Sequence, residues 1–260
     1  MSSATRISMV LRERLVGLRM ERALRSGFDT AIWSYPKSGS TWLRFLLAGY
    51  ITGSTDLDFE SLDAIAGDFE GFLPTSRSQR RNFQHIDPSV PLKSHDLPTN
   101  DWFDSAKTIF LVRDPVRILD SARRHLCRNG HVNPSTRELV DELRSRNLFN
   151  YAPWTAQVEK ALEQSALGRV KILKYEDLVC APAPSLKACL EFVGVSVNDR
   201  ELLDNVVRAY SKGALSARET SYRNTEGFVS TSQRELSRDL QEAVFTSMPD
   251  VVSELGYLTS

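Results

Sequence analysis

Apolar positions along the chain form short continuous runs separated by stretches in which they recur every three or four residues. Continuous β-prone runs occupy residues 30–33, 107–112 and 170–175, and a shorter run at 90–95 is apolar at its start and polar at its end. Runs that are apolar on both faces are typical of strands buried in a parallel sheet. Their alternation with helical segments predicts a single α/β domain with a central parallel sheet flanked by helices.

Helical periodicity fills most of the remaining sequence. Ser135 followed by Glu138 matches a capping box, and Asp114 followed by Pro115 is a favourable helix start. The predicted helices cover residues 43–48, 56–70, 115–126, 133–148, 154–167, 182–193, 202–210 and 236–248. Residues 216–228 are polar and lack periodicity, so we expect a mobile loop there.

The N-terminal segment, residues 1–27, is predicted to be a basic amphipathic helix or arm. Its apolar positions are spaced by three and four and are separated by arginines; they are Ile7, Leu11, Leu15 and Leu18. Such a helix can lie on an anionic membrane surface or pack on the domain. The apolar face is short, so we favour packing or a loosely held arm over membrane contact. The remaining residues, 28–260, are assigned to the domain.

Composition narrows the classes of function. A chain of 260 residues with 41% apolar content can bury the core of one large domain. Thirty-three basic and thirty-three acidic residues give zero net charge, so we expect no nucleic-acid partner. Three scattered cysteines provide neither a disulfide framework nor closely spaced zinc ligands. With no long apolar run and no signal-peptide pattern, a cytoplasmic location is expected.

Candidate chemistry is concentrated where the first strand turns into the first helix of the domain. Residues 34–42 read Ser-Tyr-Pro-Lys-Ser-Gly-Ser-Thr-Trp. The first N–H groups of a helix lack internal partners and lie at the positive end of its dipole, so they bind phosphate-like anions. Gly39 lets the backbone approach such an anion closely. Further donors come from the ammonium group of Lys37 and the hydroxyls of Ser38, Ser40 and Thr41.

Two other interpretations of this corner remain open. It is compatible with an ordinary strand-to-helix turn in which Ser40 is the N-cap. A phosphate-loop kinase uses the same parts, but its lysine follows the glycine, whereas Lys37 precedes Gly39. The kinase also needs a magnesium-binding Asp at a strand end, for which Asp114 is a weak candidate. The kinase interpretation is therefore disfavoured.

Two further strand ends carry candidate residues. Arg113 follows the strand at 107–112, and its guanidinium can bind two phosphate oxygens unless it pairs with Asp114 or with a surface carboxylate. Lys93 and His95 are two residues apart at another strand end, so they point to the same side. A lone His is often structural, but this pairing makes His95 a candidate catalytic group. Strand carboxyl ends form the ligand-binding edge of an open α/β sheet.

The order Tyr-Pro-Lys-Ser-Gly-Ser-Thr-Trp closely resembles the 5′-phosphosulfate loop of sulfotransferases that use 3′-phosphoadenosine 5′-phosphosulfate (PAPS). Their soluble members have a second signature, an Arg at a strand end and a Ser eight residues later, which Arg113 and Ser121 match. Lys93-Ser94-His95 is similar to the Lys-Thr-His segment of the family, and Tyr175-Glu176-Asp177 to the segment whose Tyr lies near adenine. The resemblance spans residues 30–228 and implies a P-loop-like phosphosulfate-binding loop in an α/β domain.

The resemblance implies a donor site and a reaction, the in-line transfer of a sulfuryl group to a small-molecule hydroxyl or amine. It implies that the donor is bound by Lys37, Ser38, Gly39, Ser40, Thr41, Trp42, Arg113, Ser121, Tyr175 and Arg223. Lys37 would neutralise the charge that grows on the bridging oxygen, and Lys93 would steady the sulfuryl oxygens. His95 would accept the proton of the acceptor hydroxyl. No metal is required.

One departure and two alternatives accompany this hypothesis. After the Arg that Arg223 matches, the family pattern continues with Lys-Gly and later Gly-Asp-Trp, whereas residues 224–228 read Asn-Thr-Glu-Gly-Phe. A kinase-like phosphotransferase and a non-catalytic nucleotide-binding protein on the same fold remain as alternatives. The acceptor side of the site is compatible with a phenol, a sugar or a hydrophobic natural product.

Overall fold

The computed structural model describes residues 3–69, 86–128, 133–145, 149, 151–218 and 237–257, with the backbone alone at 3–10 and 128. Most of the loop predicted at 216–228, including Arg223, therefore lies outside the described residues.

The described residues form four strands: β1 (Thr30–Ser34), β2 (Leu92–Ser94), β3 (Lys107–Val112) and β4 (Val170–Lys174). The helices found in the same residues are α1 (Ser3–Arg25), α2 (Ser40–Thr52), α3 (Phe59–Ile65), α4 (Asn100–Ser105), α5 (Pro115–Arg128), α6 (Thr136–Arg144), α7 (Trp154–Ala166), α8 (Tyr175–Cys180), α9 (Pro182–Phe192), α10 (Arg200–Ala209), α11 (Lys212–Ala217), α12 (Arg238–Ser247) and α13 (Pro249–Glu254).

The strands form one sheet in the order β2-β1-β3-β4, and every neighbouring pair is parallel. Ile32 in the middle of β1 lies opposite Lys93 of β2 and Ile109 of β3. Because all strands run the same way, their carboxyl ends meet at one edge of the sheet. The predicted α/β domain with a central parallel sheet is confirmed.

Helices cover both faces of the sheet, and successive side chains along each strand point alternately into two apolar clusters. Trp33 and Phe110 face one cluster, which is completed by side chains of α1, α4, α6, α7 and α12. Ile32 and Ile109 face the other, which is completed by α2, α3, α9 and α10. Successive strand residues point to opposite faces, so continuous apolar runs are what a sheet covered on both faces requires. Full burial of such a side chain contributes about 1.5–3 kcal/mol.

Several local predictions are confirmed by the hydrogen bonds at helix ends. The Ser135 and Glu138 side chains form both bonds of the capping box at the start of α6. The Asp114 carboxylate accepts a hydrogen bond from the Val116 N–H at the start of α5, at 2.8 Å. Each bond satisfies an N–H that would otherwise have no partner within its helix.

The helix predicted at 56–70 is shorter than its periodicity indicated. It begins after Asp58, whose carboxylate accepts a hydrogen bond from Ser61 N–H at 2.7 Å, and ends at Ile65. The chain then extends along β2, where Gly67 O accepts from Lys93 N–H at 3.0 Å and Asp68 forms a parallel bridge with Lys93. Pairing with the edge of the sheet satisfies these backbone groups and ends the helix.

The N-terminal helix is present, but the face predicted to be apolar is not the packed one. Leu11 and Leu18 are 60% and 55% exposed, whereas Val16, Met20 and Ala23 are buried in the domain core. These three recur at intervals of four and three, which makes a stripe along one side of a helix. Helix α1 thus packs on the domain along this second face; the division at residues 27 and 28 stays a prediction. None of the described helices is long and apolar enough to cross a membrane.

Candidate active site

The loop between β1 and α2 lies at the carboxyl edge of the sheet and has an unusual backbone. Lys37 has a φ of 71° and Gly39 a φ of 99°, and residues other than glycine rarely adopt positive φ. Gly39 is the N-cap of α2, and no side chain of the described residues caps the helix. The ordinary turn with Ser40 as N-cap is therefore not formed, and the helix presents uncapped N–H groups, as an anion site requires.

Gly39 has a second reason to be glycine. A Cβ at this position would lie 2.5 Å from Cε2 and 2.6 Å from Cδ2 of Tyr175, closer than any side chain tolerates. Tyr175 is the first residue of α8, directly after β4. The missing side chain thus allows the loop after β1 and the corner after β4 to come into contact.

Arg113 links these two corners. Its Nη1 donates a hydrogen bond to Lys37 O at 2.9 Å, and its Cζ lies 4.4 Å from the centre of the Tyr175 ring. Asp114 accepts a hydrogen bond from Val116 N–H and lies 3.9 Å from Arg117 Nε, and the described residues show no ion pair between Arg113 and Asp114. Burial lowers the pKa of Arg113, and its buried Nε has no hydrogen-bond partner among the described residues. A buried guanidinium with an unused donor is suited to bind an anion.

His95 follows β2 and is held in one tautomer. Its Nδ1 lies 2.6 Å from Ser34 O, and since a carbonyl can only accept, Nδ1 carries the proton. Burial is the largest effect on the pKa of His95 and, with the charge of Lys93, holds it well below 6.5, although the hydrogen bond to Ser34 O acts in the opposite direction. The imidazole is therefore neutral near pH 7, with Nε2 as an acceptor.

A buried glutamine supports this arrangement from beneath. Gln157 is 0% exposed and accepts a hydrogen bond from Trp33 Nε1–H at 2.8 Å. Its own Nε2 donates to Ala152 O at 3.0 Å and to His95 O at 3.3 Å. The backbone of His95 is thereby fixed to the core, which limits movement of the imidazole.

Trp42 lies in the first turn of α2 and is held by a hydrogen bond to a residue 168 positions later in the chain. Its Nε1 donates to Tyr210 O at 2.8 Å, and its ring meets that of Tyr175 edge to face with centroids 5.9 Å apart. The ammonium group of Lys212 lies 5.1 Å from the Trp42 ring centre and 4.7 Å from that of Tyr175. Two aromatic faces and a cation thus lie together.

These groups share one cavity of about 490 Å³. The predicted site residues that line it are Lys37, Gly39, Ser40, Thr41, Trp42, Lys93, His95, Arg113, Ser121 and Tyr175. Ser38 does not line it, since its side chain is 1% exposed and its Oγ has no partner among the described residues. Arg223 lies outside those residues.

Other residues that line the cavity escaped the sequence analysis. Arg124 and His125 lie three and four residues after Ser121 on α5, so helical spacing from Ser121 could have identified them. Arg44, in α2, lies close to Asp63 of α3, with 3.2 Å between Nη2 and Oδ1. Lys212 has no comparable sequence signal, because only the fold brings α11 to Trp42.

A buried hydrogen-bond network connects the loop to another wall of the cavity. The Tyr35 hydroxyl donates to Glu142 Oε1 at 2.7 Å, and Phe149 N–H donates to the same oxygen at 3.2 Å. Tyr35 and Glu142 are each 1% exposed, and burial together with the Glu142 charge raises the pKa of Tyr35. Phe149 lines the cavity. Glu142, in α6, therefore holds the loop and this wall in a fixed relation.

The class of protein follows from comparison with known families. Residues 28–242 match the sulfotransferase domain family. This match covers most of the chain, which therefore belongs to that family.

Individual relatives cover about two thirds to three quarters of the chain. A WSCD family member of Aedes aegypti is 31% identical over 193 residues, covering 69% of this chain and 54% of that protein. A flavonol 3-sulfotransferase of Flaveria bidentis is 24% identical over 210 residues, covering 74% and 66%. The chain thus spans about half the length of the WSCD relatives it matches.

Solved structures show the same fold at lower identity. Retinol dehydratase in complex with androsterone and the inactive cofactor PAP superposes with a TM-score of 0.63 at 15% identity, over 87% of this chain and 81% of that one. Mouse sulfotransferase SULT7A1 complexed with PAP gives 0.61 at 21% identity, over 89% and 86%. At these identities the likeness shows the fold alone.

Proposed function

We propose that this protein transfers a sulfuryl group from PAPS to a hydroxyl or amine of a small-molecule acceptor. The observation that carries the proposal is the pair of anion-binding corners at neighbouring strand ends, joined by the hydrogen bond from Arg113 to Lys37 O at 2.9 Å. A ligand with anionic groups at both its 5′ and 3′ positions would occupy the two corners together. Family membership supports the same donor.

The donor fits the residues that are present. Lys37 and the uncapped N–H groups of α2 suit the 5′-phosphosulfate, because the helix dipole and a full positive charge act at the same place. Arg113, with its unpaired Nε, and Ser121 suit the 3′-phosphate. The rings of Trp42 and Tyr175 provide apolar surface for adenine.

The proposed chemistry is an in-line displacement at sulfur. The acceptor oxygen forms a bond to sulfur, the bond from sulfur to the bridging oxygen breaks, and adenosine 3′,5′-bisphosphate (PAP) leaves with the electron pair. Lys37 neutralises the negative charge that grows on the bridging oxygen, so its effect is larger in the transition state than in the ground state. Lys93 steadies the sulfuryl oxygens. This chain thereby stabilises the negative charge of the transition state with fixed cations and helix N–H groups.

His95 is the proposed general base. Its Nδ1–H is committed to Ser34 O, so Nε2 accepts the proton of the acceptor hydroxyl as the new bond forms. The low pKa of His95 keeps Nε2 unprotonated at neutral pH. Gln157 limits movement of His95 through the bond to its carbonyl oxygen.

The acceptor is proposed to be a small molecule with a hydroxyl or amine group. One structurally similar protein, retinol dehydratase, was solved in separate complexes with androsterone and with retinol, which are both small alcohols. Phe59, Leu62, Phe149 and Tyr151 give this cavity apolar wall. The cytoplasmic location and the absence of a metal requirement remain part of the proposal.

The test is a transfer assay with labelled PAPS against phenols, amines, glycans and secondary metabolites, analysed by mass for the gain of one sulfuryl group. Lys37→Met should lower kcat by about 100- to 1,000-fold, the usual loss for one group that stabilises transition-state charge. His95→Gln should lower it by about 100-fold or more. Lys187→Met is the control, because Lys187 lies on the exposed side of α9 beside Glu191.

Two results would contradict the proposal. Magnesium-dependent turnover of ATP with no transfer from PAPS would indicate a phosphotransferase instead. Tight binding of PAP with no transfer to any acceptor in the panel would indicate a non-catalytic nucleotide-binding protein. If His95→Gln kept most of the turnover, sulfuryl transfer would stand and His95 would lose its role as the base.

A further inference from the structure

Lys212 is the first residue of α11 and reaches the cavity from a part of the chain far from the donor loop. Its ammonium group lies 5.1 Å from the ring centre of Trp42 and 4.7 Å from that of Tyr175. The side chain is half-buried and lines the cavity. A cation over two aromatic faces is attracted by the negative face of each ring, so this position is favoured.

The backbone that carries Lys212 is held in register with Trp42. Tyr210, two residues earlier, accepts the Trp42 Nε1–H bond at 2.8 Å. The Tyr210 hydroxyl in turn donates to Ser54 O at 3.0 Å, next to the C-terminal end of α2. Ser211 caps α11 by accepting from Ala214 N–H at 3.4 Å. The root of the Lys212 side chain is thus fixed by structure on both sides of it.

Lys212 and Arg113 are two cations at one aromatic ring. The Arg113 Cζ lies 4.4 Å from the Tyr175 ring centre, and the Lys212 Nζ lies 4.7 Å from it. In the part of the chain that the structure describes, neither forms an ion pair with a carboxylate. Two like charges near one ring repel each other, and an anion bound to both would convert that repulsion into attraction.

We infer that Lys212 is a further donor-binding residue, which together with Arg113 binds the 3′-phosphate of the nucleotide beside Tyr175. The inference rests on the proposed function, since it takes PAPS as the donor. The four-carbon stem of lysine lets the ammonium move from the rings to a phosphate oxygen. Lys212 would then help this site to select nucleotides that carry a 3′-phosphate.

The test compares two nucleotides that differ by that phosphate alone. Binding of PAP and of adenosine 5′-monophosphate (AMP) is measured by calorimetry for the wild type, Lys212→Met and Lys212→Arg. Loss of one hydrogen bond to a charged group corresponds to about 10- to 100-fold in Kd, so Lys212→Met should weaken PAP by that factor. AMP binding should change by less than about twofold, and Lys212→Arg should retain most of the PAP affinity.

Lys187→Met serves as the matched control, because it removes the same charge from an exposed position on α9. Unchanged AMP binding by Lys212→Met also shows that the variant is folded. Equal weakening of PAP and AMP would overturn the inference in favour of a contact with the base. Unchanged PAP affinity would overturn it in favour of a packing role on the two rings.

The outcomes for the inference and for the proposed function are separable. A wild-type protein that binds PAP but transfers no sulfuryl group would remove the proposed activity, while the Lys212 comparison would still decide the 3′-phosphate contact. If the wild type transferred a sulfuryl group but Lys212→Met bound PAP as tightly as the wild type, the proposed activity would stand and the inference about Lys212 would be wrong.

Discussion

Replacement of Tyr35 by Phe tests whether the loop is held in place from α6. The change removes one hydroxyl, which donates to Glu142 Oε1 over 2.7 Å. Both residues are 1% exposed, so water cannot replace the lost donor. A hydrogen bond to a carboxylate contributes about 1.5–3 kcal/mol. For a chain of this size we expect the melting temperature of Tyr35→Phe to fall by roughly 3–10 °C.

The same change should reach function through the residues that follow. Tyr35 immediately precedes Pro36 and Lys37, so loss of its hydrogen bond should let the loop move and displace the Lys37 ammonium from the bridging oxygen that it is proposed to contact. Displacement of a catalytic group by about 1 Å can cost up to about 100-fold in rate. We expect kcat with PAPS to fall by about 10-fold or more in Tyr35→Phe, measured by the gain of a sulfuryl group on the acceptor.

A matched control exists in another tyrosine–carboxylate pair. The Tyr257 hydroxyl donates to Glu176 Oε2 at 2.9 Å, but Glu176 is half-buried and water can replace the donor. Tyr257→Phe should therefore cost only about 0.5–1.5 kcal/mol. A double-mutant cycle of Tyr35→Phe with Glu142→Gln should show a coupling of about 1 kcal/mol or more. Additivity within about 0.3 kcal/mol, or a Tyr35→Phe variant as stable as Tyr257→Phe, would refute the role of Glu142.

Three further outcomes are expected. Gly39→Ala should lose PAP binding because the new Cβ would clash with the Tyr175 ring. Gly53 also has a positive φ, but a Cβ there would meet nothing within 4 Å, so Gly53→Ala should lose stability alone. Calorimetry with PAP measures the loss of binding, and thermal melting measures the loss of stability. The kcat/KM for PAPS should be constant near neutral pH and fall only below pH 6.5, because the pKa of His95 is lowered and only the unprotonated imidazole can act as a base. A pH profile of kcat/KM with its midpoint above pH 7 would contradict the role of His95 as the base. Ser135→Ala should lower the melting temperature by roughly 2–4 °C through loss of about 1 kcal/mol of capping, and an unchanged melting temperature would show that the cap contributes nothing to folding.

The predictions that depended on near neighbours in the chain were confirmed. The buried runs became parallel strands, and the capping box at Ser135 formed as its spacing indicated. The signals involved act over a few residues: a continuous apolar run, a side chain that bonds to an N–H three residues later, and a proline at a helix start. The strand-loop-helix corner at Lys37 could be predicted for the same reason, since strand, turn and helix follow one another directly.

The predictions that depended on distant neighbours were less reliable. The periodicity of α1 predicted one apolar face, but Leu11 and Leu18 on that face are exposed, because the core receives Val16 and Met20 instead. The helix at 56–70 ends early because the chain beyond Ile65 pairs with Lys93 at the edge of the sheet. Which competing surface wins depends on elements that come later in the sequence.

The sequence by itself determined the order of strands and helices, the loop with its lysine before the glycine, and the second corner at Arg113. The tertiary structure alone decided that Glu142 supports Tyr35 across 107 positions, and that Tyr210 fixes Trp42 across 168 and so brings Lys212 beside it. The physical reason is that local signals specify the conformation of a segment, whereas contacts between distant segments form only when the helices pack on the sheet. Nothing in the sequence around a side chain identifies the distant residue that it will contact.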